Sequence, residues 1–522
     1  MRVKPGSLLP AEPGGPDIGT SSDARIGARR LIGLVAGPLV LAFMLTQPPP
    51  AAMDAEAWRT AAAGCFMAIW WMTEAVPIPV TALAPLVLFP LLGVTTPGEA
   101  AAPYANPVIF LFLGGFVLAL AMQRHGLHRR VALGVVRALG VRRDRVVLGF
   151  MAVTAFVSMW VSNTATAVMM LPIGVSILQL RGGGASGAGS DSAAGNFGVA
   201  LVLGIAYGAS IGGLATLIGT PPNALLAGFM LETYGVEVGF AQWMAAALPL
   251  VLVALPLTWL VLTRVAFPVG TGVIAGGSDL LREEYRRLGA TSAGERRVAA
   301  IFLATALLWI VRPLLADAIP GLTDAGIAVA AAAATFIVPV DLRRGEFLMD
   351  WQTAERLPWG VLLLFGGGLS LADAVSRSGL AAWIGTALSG MQAWPLIIVI
   401  ALVTTVIIFL TELTSNTATA ATFLPLIASL SIGLGENPFL LVVPAAIAAS
   451  CAFMLPVATP PNAVLYASGY VTVPQMARAG VLLNMMFILL ITLLVHTTVA
   501  GAFGVEVGRL PAWVGGGGTV LP

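Results

Sequence analysis

Residues 162–166 read Ser-Asn-Thr-Ala-Thr, and residues 415–419, 253 positions later, repeat the same five letters. The same spacing relates the Leu-Pro pair at 171–172 to the Leu-Pro pair at 424–425. Two copies in register indicate an internal duplication, so we expect the two halves of the chain to share one fold and to build one site together.

A second motif, Thr-Pro-Pro-Asn, occurs at 220–223 and again at 459–462. Each proline lacks a backbone donor and blocks helix continuation, so both copies predict a broken helix. Ser-Asn-Thr at the start of a half-helix leaves backbone N–H groups free at a positive dipole end, which suits an anion. The interpretation that these residues only pack and kink helices is weaker for two paired copies than for one.

The composition places the chain in a lipid bilayer. Of its 522 residues 58% are hydrophobic and only 10% are charged, whereas soluble proteins carry about 25% charged residues. The mean hydropathy is +0.92, and a formal net charge of +2 offers no basic field for nucleic acid. Cys65 and Cys451 lie in apolar runs, where we expect small packed side chains rather than a disulfide or metal site.

Apolar runs of about 20 residues predict an all-α polytopic membrane protein with about eleven transmembrane helices and two re-entrant hairpins. The predicted order is a cytoplasmic tail at 1–30, a first transmembrane helix at 31–52, a first repeat at 53–270, an amphipathic cytoplasmic connector at 271–297, a second repeat at 298–503 and a tail at 504–522. The predicted hairpins lie at 145–180 and 394–430, and the predicted broken helices at 197–231 and 439–470.

Arginines cluster at 25–30, 129–145, 282–297 and 343–344, whereas the loops at 48–57, 96–106 and 317–322 contain none. We expect the protein to lie in the inner membrane of the cell. The positive-inside rule then places its N-terminus in the cytoplasm and its C-terminus outside. The arginine clusters all lie on the same side of the membrane only if 145–180 is a re-entrant hairpin rather than a single crossing. The two repeats therefore have opposite orientations, a common transporter plan with its site near the midplane. We expect no cleavable signal peptide.

Three carboxylates are further candidates. Glu74 follows an apolar run at a helix corner, where a capping role is favoured over proton relay. Asp373 and Glu412 lie in predicted membrane segments, where ionisable residues are functional candidates; we expect both to support the site through their neighbours. The three histidines are dispersed without ligand spacing, so we expect no enzyme and no organic cofactor.

The paired Ser-Asn-Thr motifs, the paired Thr-Pro-Pro-Asn breaks and the Thr-Glu-Ala-Val-Pro corner at 73–77 resemble the divalent anion:sodium symporter (DASS) family of di- and tricarboxylate transporters. The resemblance implies an elevator-type homodimer with Na⁺ as coupling ion. It implies that the substrate carboxylates meet Ser162, Asn163, Thr164, Thr220, Pro221, Ser415, Asn416, Thr417, Thr459 and Pro460.

The family also has a sodium site on each side of the substrate. The resemblance assigns site 1 to Ser158, Ser162, Asn163 and the Gly219 carbonyl. It assigns site 2 to Thr411, Asn416 and the carbonyls of Thr414 and Ala458.

These observations together predict sodium-coupled uptake of C4-dicarboxylates such as succinate, malate or fumarate. A sodium-independent carboxylate exchanger, a carrier of citrate or sulfate, and an anion channel remain as alternatives.

Overall fold

A computed structural model describes residues 28–179, 192–274, 276–387 and 393–514. Most of the predicted N-terminal tail, most of a Gly/Ser-rich stretch at 181–195 and the end of the C-terminal tail lie outside the described residues. The described chain is a bundle of α-helices, as the composition predicts. One small antiparallel pair, β1 (Pro339–Asp341) and β2 (Glu346–Phe347), occurs in it.

The helices of the first half are α1 Ala28–Thr46, α2 Ala55–Thr73, α3 Ile78–Thr81, α4 Ala84–Leu91, α5 Pro97–Ala101, α6 Pro107–Arg124, α7 Leu127–Leu139, α8 Arg143–Ser158, α9 Asn163–Gln179, α10 Ser192–Gly213, α11 Pro221–Tyr234 and α12 Phe240–Leu260. Those of the second half are α13 Gly277–Arg287, α14 Ala293–Leu315, α15 Asp324–Ile337, α16 Trp351–Ala354, α17 Trp359–Arg377, α18 Leu380–Ala387, α19 Leu396–Thr411, α20 Asn416–Gly433, α21 Phe439–Ala449, α22 Pro460–Ala467, α23 Val473–Leu490 and α24 His496–Phe503.

Seven helices in the described part of the chain are long and apolar enough to cross a membrane. Five shorter apolar helices, of 10–17 residues, account for much of the remaining hydrophobic sequence. They are short because turns interrupt the apolar runs: α8 and α9 are separated at 159–162, and α19 and α20 at 412–415. The broken helices are α10–α11, interrupted at 214–220, and α21–α22, interrupted at 450–459.

Small residues let the helices approach closely, as is usual in membrane bundles. A Cβ added to Gly212 of α10 would lie 2.1 Å from the Ala155 carbonyl oxygen of α8. A Cβ on Gly114 of α6 would lie 2.4 Å from the backbone of Ala328 in α15. Neither contact could accommodate a side chain, so these glycines fix the two helix pairs.

Polar contacts sort the loops onto two faces of the bundle. On face A, Arg130 pairs with Glu295 at 2.7 Å, and the α7–α8 turn bonds the start of the connector predicted at 271–297. On face B, Arg377 lies 3.3 Å from Glu99, and the Trp383 indole donates to the Ala51 carbonyl at 3.2 Å. The hairpin α8–α9 follows the face A contacts of α7, and the hairpin α19–α20 follows the face B contact of α18.

Candidate functional site

The two hairpin tips and the two helix breaks enclose one cavity of about 690 Å³. All ten residues of the predicted substrate site line it: Ser162, Asn163, Thr164, Thr220, Pro221, Ser415, Asn416, Thr417, Thr459 and Pro460. They come from four chain segments that are far apart in sequence. The structure therefore brings the four motifs together, as expected if they form one site.

Four helices begin at this cavity. Their first residues are Asn163, Pro221, Asn416 and Pro460. The starts of α9 and α20 present backbone N–H groups, whereas α11 and α22 each begin with two prolines, which have none. All four starts carry the positive end of a helix dipole, and such ends attract anions. The only ionisable side chain among the described residues of the wall is Glu74. Backbone and neutral side chains thus supply the whole attraction that the wall offers to an anion.

Each helix break is tied together by the asparagine that ends its Thr-Pro-Pro-Asn motif. The Asn223 amide donates to the carbonyls of Gly213, Leu214 and Thr216 at 2.8–3.3 Å. In the second half the Asn462 amide donates to the carbonyls of Ala452 and Leu455 at 3.2 and 3.1 Å. Both asparagines are fully buried. They satisfy carbonyls that the break would otherwise leave unpaired in the core.

A cluster of oxygens lies beside the first hairpin tip. The Ser158 hydroxyl lies 2.6 Å from one end of the Asn163 amide. The same amide end lies 3.2 Å from Gly219 O and 3.1 Å from Ala209 O. With oxygen at this position, four oxygens converge, which is the environment of a hard cation. With nitrogen at this position, the amide would donate to all three neighbours and close the cluster.

A second cluster lies beside the other tip. Thr411 is fully buried, and its hydroxyl lies 2.8 Å from the Asn416 amide oxygen and 2.8 Å from Ala449 O. Ala458, from the helix break, borders the same cavity. Of the four predicted site-2 residues, Thr411 and Asn416 are therefore in direct contact, and Ala458 borders the same cavity as Asn416. The cluster repeats the hydroxyl–asparagine pair of the first half with a different backbone partner.

One residue predicted for sodium site 1 and one predicted for sodium site 2 have hydroxyls that bond other groups. The Ser162 hydroxyl accepts from Ala165 N at 3.3 Å and so caps the start of α9. The Thr414 hydroxyl lies 2.7 Å from that of Thr419 and donates to Leu410 O. Participation of Thr414 in a cation site would thus come from its carbonyl, as the resemblance implies. The sodium assignments stay predictions.

The buried carboxylate of Glu412 holds the second helix break. It accepts from the backbone N–H groups of Phe453, Met454 and Leu455 at 2.7–3.2 Å and from the Asn484 amide at 2.9 Å. All its partners are donors, as an ionised carboxylate requires. The residue 253 positions earlier is Met159, so the first half has no counterpart. The sequence indicated Glu412 as a candidate because it lies three residues before the Ser-Asn-Thr motif that begins at Ser415.

The other two carboxylates have different positions. Glu74 ends α2 in a left-handed conformation, with φ 50° and ψ 40°, and its backbone N–H caps the helix. Glu74 also borders the cavity, a position that the sequence did not indicate. Asp373 lies in α17 and pairs with Arg377 at 2.8 Å, away from the cavity wall.

An apolar wall faces the tips. It consists of side chains from α3, α6, α17 and the two breaks, and sequence patterns gave no indication of it: Ile78, Phe112, Phe116, Ile218, Val361 and Val457. Such a wall excludes water from the donors and suits the carbon chain of an organic anion.

Comparison with known proteins agrees with this geometry. The profile described as "Sodium:sulfate symporter transmembrane region" matches residues 28–502. The sodium-dependent dicarboxylate transporter SdcS of Staphylococcus saprophyticus is 41% identical over 482 residues, which are 92% of this chain and 93% of that protein. SdcS of Staphylococcus aureus strain RF122 is 41% identical over 486 residues, 92% and 94% of the two chains.

A solved structure, that of the Alcanivorax borkumensis YdaH transporter, is similar in fold alone. It aligns with a TM-score of 0.53 at 16% identity, covering 91% of this chain and 97% of that chain. The profile match and the two relatives each span nearly the whole chain. The protein is therefore a multi-pass membrane transporter of the sodium:sulfate symporter family, within the divalent anion:sodium symporters.

Proposed function

We propose that this protein imports C4-dicarboxylates such as succinate, malate or fumarate together with Na⁺. The observation that carries the proposal is the convergence of four helix N-termini, at Asn163, Pro221, Asn416 and Pro460, on one cavity. Two groups of N–H donors on opposite hairpins suit a ligand with an anionic group at each end. The names of the staphylococcal relatives support the same substrate class.

Coupling to sodium has a physical reason in the wall composition. No lysine or arginine is among the described residues of the wall, and Glu74 adds a negative charge. A dianion in this environment gains from cations bound next to it. Asn163 and Asn416 border the cavity and also contact the hydroxyls of the two oxygen clusters. One amide can therefore touch both ligands, and linkage makes each ligand raise the affinity of the other.

The proposed topology has eleven spans and two re-entrant hairpins in inverted repeats, with face A cytoplasmic and face B outside. It puts the N-terminus inside and the C-terminus outside. Two variants, Glu283→Cys and Thr386→Cys, test it in a Cys65→Ser background, where the remaining Cys451 is fully buried. We expect an impermeant thiol reagent to label residue 386 only from outside and residue 283 only from inside; labelling of both from one side contradicts the topology.

The proposed motion is an elevator movement within a homodimer. The cavity lies where the tips and breaks meet α3, α6 and α17. A unit made of the hairpins and broken helices could carry both ligands along this apolar wall. The motif residues would then stay together while their access changes from face B to face A.

Uptake of labelled succinate into proteoliposomes tests the function. We expect saturable uptake that requires an inward sodium gradient and is inhibited by external malate and fumarate. Sodium-independent uptake that requires internal dicarboxylate would instead show an exchanger. Non-saturating flux would show a channel, and stronger inhibition by sulfate or citrate than by malate would reassign the substrate.

A further inference from the structure

The structure has a second cavity of a size comparable to the proposed transport site, on face A between α7 and α13. Its volume is about 820 Å³. Three arginines border it, namely Arg137 from α7 with Arg282 and Arg286 from α13, together with Tyr285 and Ser278. None of its described lining residues is Asp or Glu. The transport mechanism uses none of these residues.

The arginines are arranged rather than scattered. The Arg137 guanidinium lies 4.9 Å from the centre of the Tyr285 ring, a cation–π contact that orients it. Within the described part of the chain, the ion pairs of Arg282 and Arg286 are exposed and lie in their own helix, at 3.9 Å to Asp279 and 3.5 Å to Glu283. Exposed pairs of this kind contribute little. The guanidinium groups of Arg282 and Arg286 therefore lose little if they turn from these carboxylates to an anion in the cavity.

We propose that this cavity binds a phosphate ester, with its phosphate among the three guanidinium groups and the rest of the ligand in the remaining volume. Planar guanidinium groups match phosphate oxygens in pairs. A volume of about 820 Å³ is far larger than one phosphate ion requires and lies in the range of sites for organic ligands.

The surroundings of the cavity favour the headgroup of an anionic membrane lipid as the source. Val273, next to the cavity wall, is 64% exposed, and Val135 of α7 is 39% exposed. Apolar side chains beside clustered arginines are typical of a surface that contacts both acyl chains and headgroups. A soluble phosphate ester has the same charged group, and the experiment below separates the two sources.

A ligand in this cavity would act on the transport site through the backbone. The cavity residue Val141 accepts a hydrogen bond from Ile274 N at 2.9 Å, and Arg143 N donates to Gly272 O at 3.0 Å. These bonds join the connector to the start of α8, whose far end carries Ser158 of the first oxygen cluster. Phosphate bridging of α7 and α13 would thus fix the base of the first hairpin.

Calorimetric titration of the purified full-length protein tests the proposal with three probes: soluble dihexanoyl phosphatidylglycerol, dihexanoyl phosphatidylcholine and inorganic phosphate. We expect phosphatidylglycerol to bind, and the triple variant Arg137→Gln/Arg282→Gln/Arg286→Gln to weaken binding at least tenfold. The zwitterionic lipid should bind at least tenfold more weakly than phosphatidylglycerol. Arginine-dependent binding of inorganic phosphate at equal affinity would support the phosphate site but assign it to a soluble ester.

Arg287→Gln is the matched control. Arg287 lies on the same helix with its side chain 66% exposed, close to the 67% of Arg282, but it does not border the cavity. A second triple variant, Arg137→Lys/Arg282→Lys/Arg286→Lys, keeps the charges and should bind within tenfold of the wild type. Binding that is equal in the wild type and the glutamine triple variant, or lost equally in Arg287→Gln, would overturn the proposal. Because the probes carry no dicarboxylate, failure here leaves the proposed transport function unaffected.

Discussion

Replacement of Glu412 by glutamine tests how the second helix break supports the transport site. The carboxylate accepts from three consecutive backbone N–H groups and from Asn484. The segment that it holds, 453–458, ends at Ala458 and leads into the α22 N-terminus at the cavity. Glutamine keeps the size of the side chain but has one acceptor oxygen in place of two.

The magnitude follows from the contacts that are lost. If the glutamine oxygen takes the place of Oε1, it keeps Phe453 N, Met454 N and the Asn484 amide. Its NH₂ group then faces Leu455 N, which donated to Oε2 at 3.2 Å. One buried unpaired N–H costs about 1–3 kcal/mol. If that cost falls on the ligand-binding conformation of the break, affinity decreases by roughly 5- to 150-fold, since about 1.4 kcal/mol is tenfold.

The assay is sodium-dependent succinate uptake in proteoliposomes, with sodium and succinate titrated separately. We expect Glu412→Gln to raise the sodium concentration for half-maximal uptake and the KM for succinate. Glu436→Gln is the control, because Glu436 accepts from Gly508 N on face B, away from the cavity. Wild-type sodium and succinate dependence in Glu412→Gln would refute the argument that the carboxylate positions the site.

Three further predictions concern the tips. Ser158→Ala and Thr411→Ala each remove a buried hydroxyl. Losing one polar partner weakens cation binding by about 1–3 kcal/mol, so each variant should raise the sodium concentration that gives half-maximal uptake. Unchanged sodium dependence in both would argue against sodium coupling at these positions. Asn163→Asp and Asn416→Asp should bind sodium but not succinate in calorimetry, since a carboxylate repels the substrate; sodium-dependent succinate binding in either would exclude the shared role. Gly213→Ala should weaken sodium binding, since its Cβ would lie 2.6 Å from the end of the Asn163 amide that faces the first oxygen cluster; wild-type sodium affinity would contradict this.

Matched controls exist in the same region of the chain. Ser176→Ala removes a hydroxyl that bonds Pro172 O in α9. Asn196→Asp changes an exposed amide that bonds Pro268 O. Gly198→Ala places a Cβ in α10 with its nearest neighbour at 3.8 Å, an ordinary contact. We expect all three to keep wild-type sodium and succinate dependence.

The sequence by itself determined the class of protein and most of the residues at the cavity. Composition fixed the solvent as lipid, because too few charged residues are present to cover a water-exposed surface. The duplicated motifs located the site, because proline breaks and small polar residues at membrane depth are tolerated only where protein or a cavity satisfies them. Thus Ser162, Asn163, Thr220 and their second-half counterparts could be read directly from repeated letters.

Only the tertiary structure decided what surrounds those residues. The Ala209 carbonyl belongs to the first oxygen cluster, but a backbone atom has no letter that could reveal it. Phe112 and Ile78 line the cavity because their helices pack there, whereas in sequence they resemble any lipid-facing residue. Glu412 accepts hydrogen bonds from N–H groups about 40 positions later in the chain. The internal repeat could not predict this contact, because Met159 occupies the equivalent position in the first half. The local sequence pattern shows which polar groups need hydrogen-bonding partners, and the three-dimensional packing determines which residues those partners are.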